Sequence, residues 1–458
     1  MPGSSPASSS VRSPDVPTVD EPRRAAHDIL TAVREQDAYV NLTLPRLLRE
    51  RRLTGRDAAF TTELTHGTLR RQGTYDAVLD SLSAHPLDPR VRDVLRLGTH
   101  QLLAMRTSPH AAVGTSVDLV RDVVGARPTG LVNAILRKVA ARGLDQWVDA
   151  VAPDRTADLP GHLAVRHSHP RWVVEAMADA VGADWGETEA VLAADNEAPQ
   201  VTLVARPGRS EVSELVATGA RAGRWSPYAA TMSGGDPGSI SAVRDGRAGV
   251  QDEGSQLVAL ALAAAPLDGP DVRWLDPCAG PGGKAALLGA LATRRGAHLL
   301  AGERLPHRAA LVRQAVGDTA TVMVADGTRP PWAADAFDRV LVDAPCTGLG
   351  ALRRRPEARW RRQPEDLPGL VALQQDLLGR ALDSCRPGGV VAYVTCSPHL
   401  AETRGVIAAV TVARTDVVVE DARPLLPGVP DLSDGPYVQL WPHRHGTDAM
   451  FLALLRRR

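Results

Sequence analysis

From about residue 270 onward, short apolar runs alternate with helical segments, and this order leaves few folds open. The runs at 272–275, 298–301, 321–325, 339–342 and 390–394 have the length of strands. Between them, 284–292, 306–316 and 367–384 carry helical spacing. Such alternation predicts a parallel, doubly wound sheet covered by helices. Ligands of these sheets bind outside the carboxyl ends of the strands, so the residues that follow each run are the informative ones.

The first run leads into Asp276-Pro277-Cys278-Ala279-Gly280-Pro281-Gly282-Gly283-Lys284-Ala285. Glycines let a backbone turn tightly into a helix and approach a ligand closely. Gly280-x-Gly282-x-x-Ala285 fits the dinucleotide fingerprint in its G-x-G-x-x-A form, a match that chance also produces. Glu303, Asp326 and Asp343 follow the second, third and fourth runs. One such acid would be read as a helix cap. Three of them at one sheet edge beside a glycine loop predict a nucleoside site, with Glu303 on the ribose hydroxyls. A phosphate-binding P-loop is excluded, because Cys278 and Ala285 stand where it needs glycine and a hydroxyl. A nicotinamide dehydrogenase stays open on the loop alone.

Two cysteines narrow the chemistry. The fourth run enters Asp343-Ala344-Pro345-Cys346-Thr347-Gly348 and the fifth enters Thr395-Cys396-Ser397-Pro398. Both loops belong at the edge that carries the glycine loop. Cys385, in a helical run, reads as a small buried hydrophobe, and so does Cys278. A thiolate beside a nucleoside cofactor suits one problem well. C5 of cytosine is a poor nucleophile until a thiolate adds to C6, after which it can take the sulfonium methyl of S-adenosylmethionine. Asp343 is placed to protonate N3. A dehydrogenase has no use for the cysteine pair.

The chain has 458 residues, with 53 Lys+Arg against 53 Asp+Glu, which excludes a polybasic arm or an acidic solvating tail but not a local basic patch. The four cysteines form no C-x-x-C pair, so a cysteine-built zinc site is not expected, and the chemistry calls for no metal. The N-terminus has no signal-peptide core, and no apolar run reaches the ~18 residues of a membrane span. Free thiols in a reducing cytoplasm are the expectation. Residues 1–20 read as a disordered Ser/Pro-rich tail. Residues 21–150 read as a helical domain, with Val113, Val117, Val120 and Val124, and then Leu131 and Ile135, at helical spacing and a break at His85–Pro89. Residues 151–250 read as a linker and a mixed α/β subdomain, with a helix at 172–181 and a strand at 200–205. Residues 251–458 read as the catalytic domain.

The strings Asp276–Lys284, Asp343–Pro356, Thr395–Pro398 and Pro442-His-Arg-His-Gly-Thr-Asp448 resemble the Sun/Fmu family of RNA 5-cytosine methyltransferases. Ser168-His-Pro170 with Trp172, and Val250-Gln-Asp-Glu-Gly-Ser255, resemble it too. The helical N-terminal part is similar to the NusB antitermination domain. The resemblance covers about 22–458. It implies an all-α N-terminal domain that binds RNA, a Rossmann-like catalytic domain and S-adenosylmethionine as cofactor. It implies Cys396 as nucleophile, Cys346 in product release, and Lys284 and Asp343 in catalysis. It implies cofactor contacts from Cys278, Ala279, Gly280, Pro281, Gly282, Gly283, Lys284, Glu303, Asp326 and Asp343, with Arg308 as a further candidate. Gly280 stands where the family more often has Ala, and Glu303 where Asp is common. The implied substrate is a cytidine in small-subunit (16S) ribosomal RNA, with a monomer as the default state.

The run after Cys346 offers RNA contacts: Arg353, Arg354, Arg355 and Arg359 for phosphates and Trp360 for stacking on a base. Arg51, Arg52, Arg70 and Arg71 are candidates in the helical domain. The competing reading for any charge run is a solvated helix face. Three alternatives remain: methylation of tRNA or another RNA, a DNA enzyme with Cys346 as nucleophile, and a non-catalytic RNA-binding protein. The second cysteine argues against the DNA enzyme, and the intact Cys346, Cys396, Asp343 and Lys284 argue against the last.

Overall fold

The computed structural model describes residues 20–458, so the expected tail lies, Asp20 apart, outside the described residues. The chain divides into two compact units, Met1–Ala157 and Asp158–Arg458.

The described part of the first unit holds eight helices, from Glu21–Gln36 to Leu144–Val151. The His85–Pro89 break ends in a cap: Pro89 opens the helix Pro89–Leu103, and the Asp88 carboxylate accepts the Arg90 N–H at 2.8 Å. Val113, Val120 and Ile135 are buried as their spacing predicts. Leu131 is 45% exposed, because the buried stripe of its helix runs Val132, Ile135, Leu136, Val139 and leaves it on the flank.

The expected linker is short. The first unit's last helix runs to Val151, and the second unit's first helix is Leu159–His167. Helices Arg171–Ala180 and Trp185–Ala194 follow. Next comes a small antiparallel sheet of β1 (Val201–Ala205), β2 (Arg221–Ala222), β3 (Ala229–Met232) and β4 (Ala248–Val250), in the order β2-β3-β1-β4.

The large sheet comprises β5 (Arg273–Asp276), β6 (His298–Glu303), β7 (Ala320–Val324), β8 (Phe337–Asp343), β9 (Cys385–Thr395), β10 (Val417–Glu420), β11 (Val438–Gln439) and β12 (Phe451–Arg457). Its order is β10-β12-β9-β8-β5-β6-β7, with β11 paired to β12. β5 to β9 are parallel to one another, as expected, while β12 runs antiparallel between β9 and β10. The sheet is therefore mixed. The sequence reading stopped at residue 394 and missed the antiparallel strands. Cys385 is fully buried, but it opens β9 and does not sit within the helix.

Both faces are covered. Leu257, Leu287, Leu291 and Val312, from helices Glu253–Ala264, Gly283–Arg294 and Pro306–Val316, pack with one side of the sheet. Leu378, Leu382 and Ile407, from Leu367–Ser384 and Arg404–Val412, pack with the other. Strands buried on both faces read as near-continuous apolar runs, which is why these were legible.

Candidate active site

The register of the parallel strands brings the predicted acids to one edge. Asp276 aligns with Ala301, Glu303 with Val324, and Asp343 with Val394, one residue before Thr395 and two before Cys396.

At the first crossover, the Asp276 carboxylate accepts the Cys278 N–H at 3.1 Å, and the Ala279 N–H donates to Gly302 O at 2.9 Å. Gly282 has φ +115°, and a Cβ there would lie 2.6 Å from the Ala315 Cβ. Only glycine lets this helix start so close to its neighbour. A Cβ on Gly280 would fall 2.1 Å from Glu303 Oε2. Arg308 donates to Gly280 O at 2.8 Å and lies 3.7 Å from Glu303 Oε2, while the Leu305 N–H donates to Glu303 Oε1 at 2.9 Å. Glu303 is the last residue of β6. Asp326 accepts from the Thr328 hydroxyl and N–H at 2.8 and 3.0 Å, which hold its carboxyl below its ordinary value. The loop, Glu303, Arg308 and Asp326 thus form one edge, as the sequence suggested. Asp276 lies beneath it, fully buried and pushed up to about 8 by burial and by the neighbouring Asp343.

At the centre, Lys284 Nζ donates to Asp343 Oδ2 at 2.8 Å. Burial works against the ammonium, but Asp343, Cys396 and Asp276 outweigh it and the Lys284 pKa is raised. Cys346 Sγ and Cys396 Sγ are 3.5 Å apart, and both residues are half-buried. The pair is polarised. The hydrogen bond from Cys346 lowers the Cys396 pKa against the effect of burial, with help from Lys284 and Arg355. The same contact, burial and Glu402 raise that of Cys346. Burial and Asp276 push the Cys278 thiol well up, which suits a structural thiol.

The arginine run needs correction. Arg353 donates to Asp448 and Asp252 at 2.8 and 3.0 Å, and Arg354 bonds the same two carboxylates. Arg359 is fully buried and bonds Asn196 Oδ1 at 2.8 Å, Asp195 O at 2.8 Å and Ser168 O at 3.1 Å. Arg353 and Arg359 are buried and used inside the protein, and Arg354 is half-buried with its guanidinium committed to the same two carboxylates. Trp360 is half-buried, and only Arg355 of the named arginines is exposed. In the helical unit, Arg70 is buried and Arg51 is ion-paired with Glu21 and Asp28, while Arg52 is exposed and Arg71 half-buried.

Sequence reasoning missed what joins the cysteine loops. Fully buried Glu402 accepts from the Thr347 N–H at 2.8 Å, from the Thr347 hydroxyl, and from Gln374 Nε2 at 3.0 Å. The two flanking motifs prove to be supports. Ser168 O holds Arg359, and His445 bonds Pro430 O and the Trp441 N–H at 2.9 Å each. Among the described residues, no cluster of His, Cys, Asp and Glu could hold a metal ion, and no helix is long and apolar enough to cross a membrane.

Comparison with known proteins agrees with this layout. The family described as 16S rRNA methyltransferase RsmB/F matches residues 261–456, and the NusB family matches 20–141. A Mycobacterium tuberculosis protein with a provisional methyltransferase name is 53% identical, over 97% of this chain and 98% of its own length. The ribosomal RNA small subunit methyltransferase B of Pseudomonas putida is 32% identical, over 85% of this chain and 88% of its own. In fold, the chain is similar to the crystal structure of PH0851, with a TM-score of 0.78 at 21% identity over 95% of this chain and 98% of that one. NSun6 from Pyrococcus horikoshii, solved with SFG, gives 0.52 at 17% identity over 63% and 98%. The chain belongs to the RsmB/F family of S-adenosylmethionine-dependent rRNA methyltransferases and carries a NusB-family N-terminal unit.

Proposed function

We propose that this chain methylates C5 of a cytidine in small-subunit (16S) ribosomal RNA, in the cytoplasm, through a covalent bond between Cys396 Sγ and C6. The observation that carries the reading is the cysteine pair, 3.5 Å apart, beside the Lys284–Asp343 ion pair. An acceptor needs both a nucleophile that can add to C6 and a group that can take it off again.

The residues suit the cofactor. The glycine loop from Cys278 to Gly283 has room for backbone approach, and Glu303, Arg308 and Asp326 border it with hydrogen-bonding groups suited to an adenosyl moiety. When bound, S-adenosylmethionine supplies an electrophilic methyl group. The protein's own part is to prepare C5. The Cys396 thiolate adds to C6, and Asp343 passes a proton from the Lys284 ammonium to N3 as charge builds there, leaving Lys284 neutral. After C5 is alkylated, its proton passes to solvent water, the N3 proton returns through Asp343 to Lys284, and the C6–S bond breaks with its electron pair going to Cys396. The Cys346 thiol then hydrogen-bonds to the departing Cys396 sulfur.

The test uses labelled S-adenosylmethionine with small-subunit ribosomal RNA, tRNA and DNA of matched cytosine content, followed by bisulfite sequencing. Label at a single ribosomal cytidine is expected. Label in tRNA alone moves the substrate to another RNA, and label in none of the three removes the catalytic reading.

Arg355 is exposed and close enough to influence the Cys396 thiol, which makes it the best phosphate contact left in the arginine run. Arg355→Ala is expected to weaken RNA binding about tenfold and to lower the salt slope by about one. Binding measured across a salt series checks this, and an unchanged slope would remove Arg355 from the interface.

A further inference from the structure

The two catalytic loops are joined by a short buried relay. Ser397, next to Cys396, shares a hydrogen bond of 3.0 Å with the Thr347 hydroxyl, next to Cys346. That hydroxyl bonds Glu402, which also accepts the Thr347 N–H. Gln374 Nε2 spans Glu402 and Pro345 O at 3.0 and 2.9 Å, and Tyr393 donates to Glu402 O at 2.7 Å. Glu402 thus ties together the Cys346 loop, β9 and the helix Leu367–Ser384. Among the described residues it has no ion pair with Lys or Arg. A buried acid without a cation is costly to keep, so its three donors must hold it there.

Its charge lies on one side of the thiol pair. Glu402 acts on Cys346, whereas Lys284, Asp343 and Arg355 act on Cys396. Two cysteines in contact could share one proton either way. Each sulfur has a carboxylate nearby, Asp343 for Cys396 and Glu402 for Cys346, but the cations Lys284 and Arg355 lie with Cys396 and offset Asp343 there.

We propose that Glu402 is a positioning residue that makes the two cysteines unequal, clamping the Cys346 loop to the Cys396 loop so that Cys346 keeps the proton and Cys396 is the nucleophile. This rests on the reading of Cys396 as nucleophile. Lys284 favours a thiolate at Cys396, and Glu402 disfavours one at Cys346, so the two act in the same direction from opposite ends.

Thiol alkylation by iodoacetamide, resolved by peptide mass spectrometry across pH 6–10, tests it on the full-length protein without RNA or cofactor. In the wild type, Cys396 should label at lower pH than Cys346. Equal rates and midpoints would overturn the proposal outright, whatever any variant does. Glu402→Gln keeps the shape, since its amide can donate to the Thr347 hydroxyl while its oxygen accepts the Thr347 N–H. It removes the charge. Labelling of Cys346 relative to Cys396 at pH 8 should rise about tenfold, the size of one pKa step. Glu402→Asp, which keeps the charge, should recover much of the preference. An unchanged ratio in Glu402→Gln, or Glu402→Asp behaving like Glu402→Gln, would show that the charge is not the agent. Because labelling needs no substrate, the two readings fail separately. Unequal labelling that shifts in Glu402→Gln, without RNA methylation, removes the methyl-transfer reading and keeps the role of Glu402. Methylation with unshifted labelling does the reverse.

Discussion

Cys396→Ser is expected to lower methyl incorporation into RNA by at least about 10³-fold, because a neutral hydroxyl cannot replace a thiolate as the group that adds to C6. Cys346→Ser should fail differently. The attack needs only Cys396, so the adduct still forms. Expulsion then has to leave a thiolate on Cys396, and the thiol 3.5 Å away is replaced by a hydroxyl, a far weaker acid that cannot share a proton with that sulfur in the same way. A slow-migrating protein–RNA band should accumulate on a denaturing gel, absent from Cys396→Ser and from the double variant. The geometry makes the two roles separable. In the proposed roles Cys346 is the protonated partner, and its hydrogen bond reduces the nucleophilicity of Cys396 a little while making it a better leaving group. Loss of methylation without any adduct in Cys346→Ser, together with activity in Cys396→Ser, would transfer the nucleophile to Cys346 and bring back the DNA-type mechanism.

Asp448→Ala should destabilise the second unit by ~3–5 kcal/mol, with an unfolding temperature lower by roughly 10 °C. Asp448 and Asp252 face Arg353 and Arg354 in a buried group of two charges of each sign, and the Asp448 N–H also donates to Asp252 Oδ1 at 3.0 Å. Removing one carboxylate leaves two guanidiniums on a single acid with little water to replace it. Asp252 is also the cap of the helix Glu253–Ala264, accepting the Gly254 N–H at 2.9 Å, so the surplus charge bears on the N-terminus of that helix. Asp448→Asn retains an acceptor and should lose less. Tryptophan fluorescence suits the measurement, since seven of the eight tryptophans lie beyond Asp158. A change within about 0.5 kcal/mol, the range of ordinary surface substitutions, would mean that these charges are solvated after all.

The parallel half of the catalytic sheet was legible because its strands are buried on both faces and its helices are long. Pro306–Val316 and Leu367–Ser384 match the sequence reading at both ends, and the glycine loop and its acids fall at the expected edge. The failures have physical causes. The apolar residues Phe451–Leu455 form a strand only because β9 and β10 lie on either side, and nothing local signals that pairing. The arginine run looked solvated because its carboxylates are far away in sequence: Asp252 precedes it by a hundred residues and Asp448 follows by nearly as many. Charge density in a sequence does not indicate which charges will meet a counter-ion on folding. Glu402 was invisible for a related reason, since its partners Thr347 and Gln374 lie on other elements.

The position of β12 has a consequence for a chain still being made. Domains generally fold as units, N-terminal first, during synthesis. The helical unit can therefore be complete, and β5 to β9 available, while Asp448 and Phe451–Arg457 are still inside the ribosome. Until they emerge, β9 is an edge strand with a row of unpaired peptide groups, and Thr395, just before Cys396, lacks Phe451 opposite it. Arg353 and Arg354, which follow the Cys346 loop, lack one of their two carboxylates at that stage. A nascent chain can thus present its NusB-family unit before the Cys396 end of β9 has its partner strand, so that completion of this edge waits on residues 448–457.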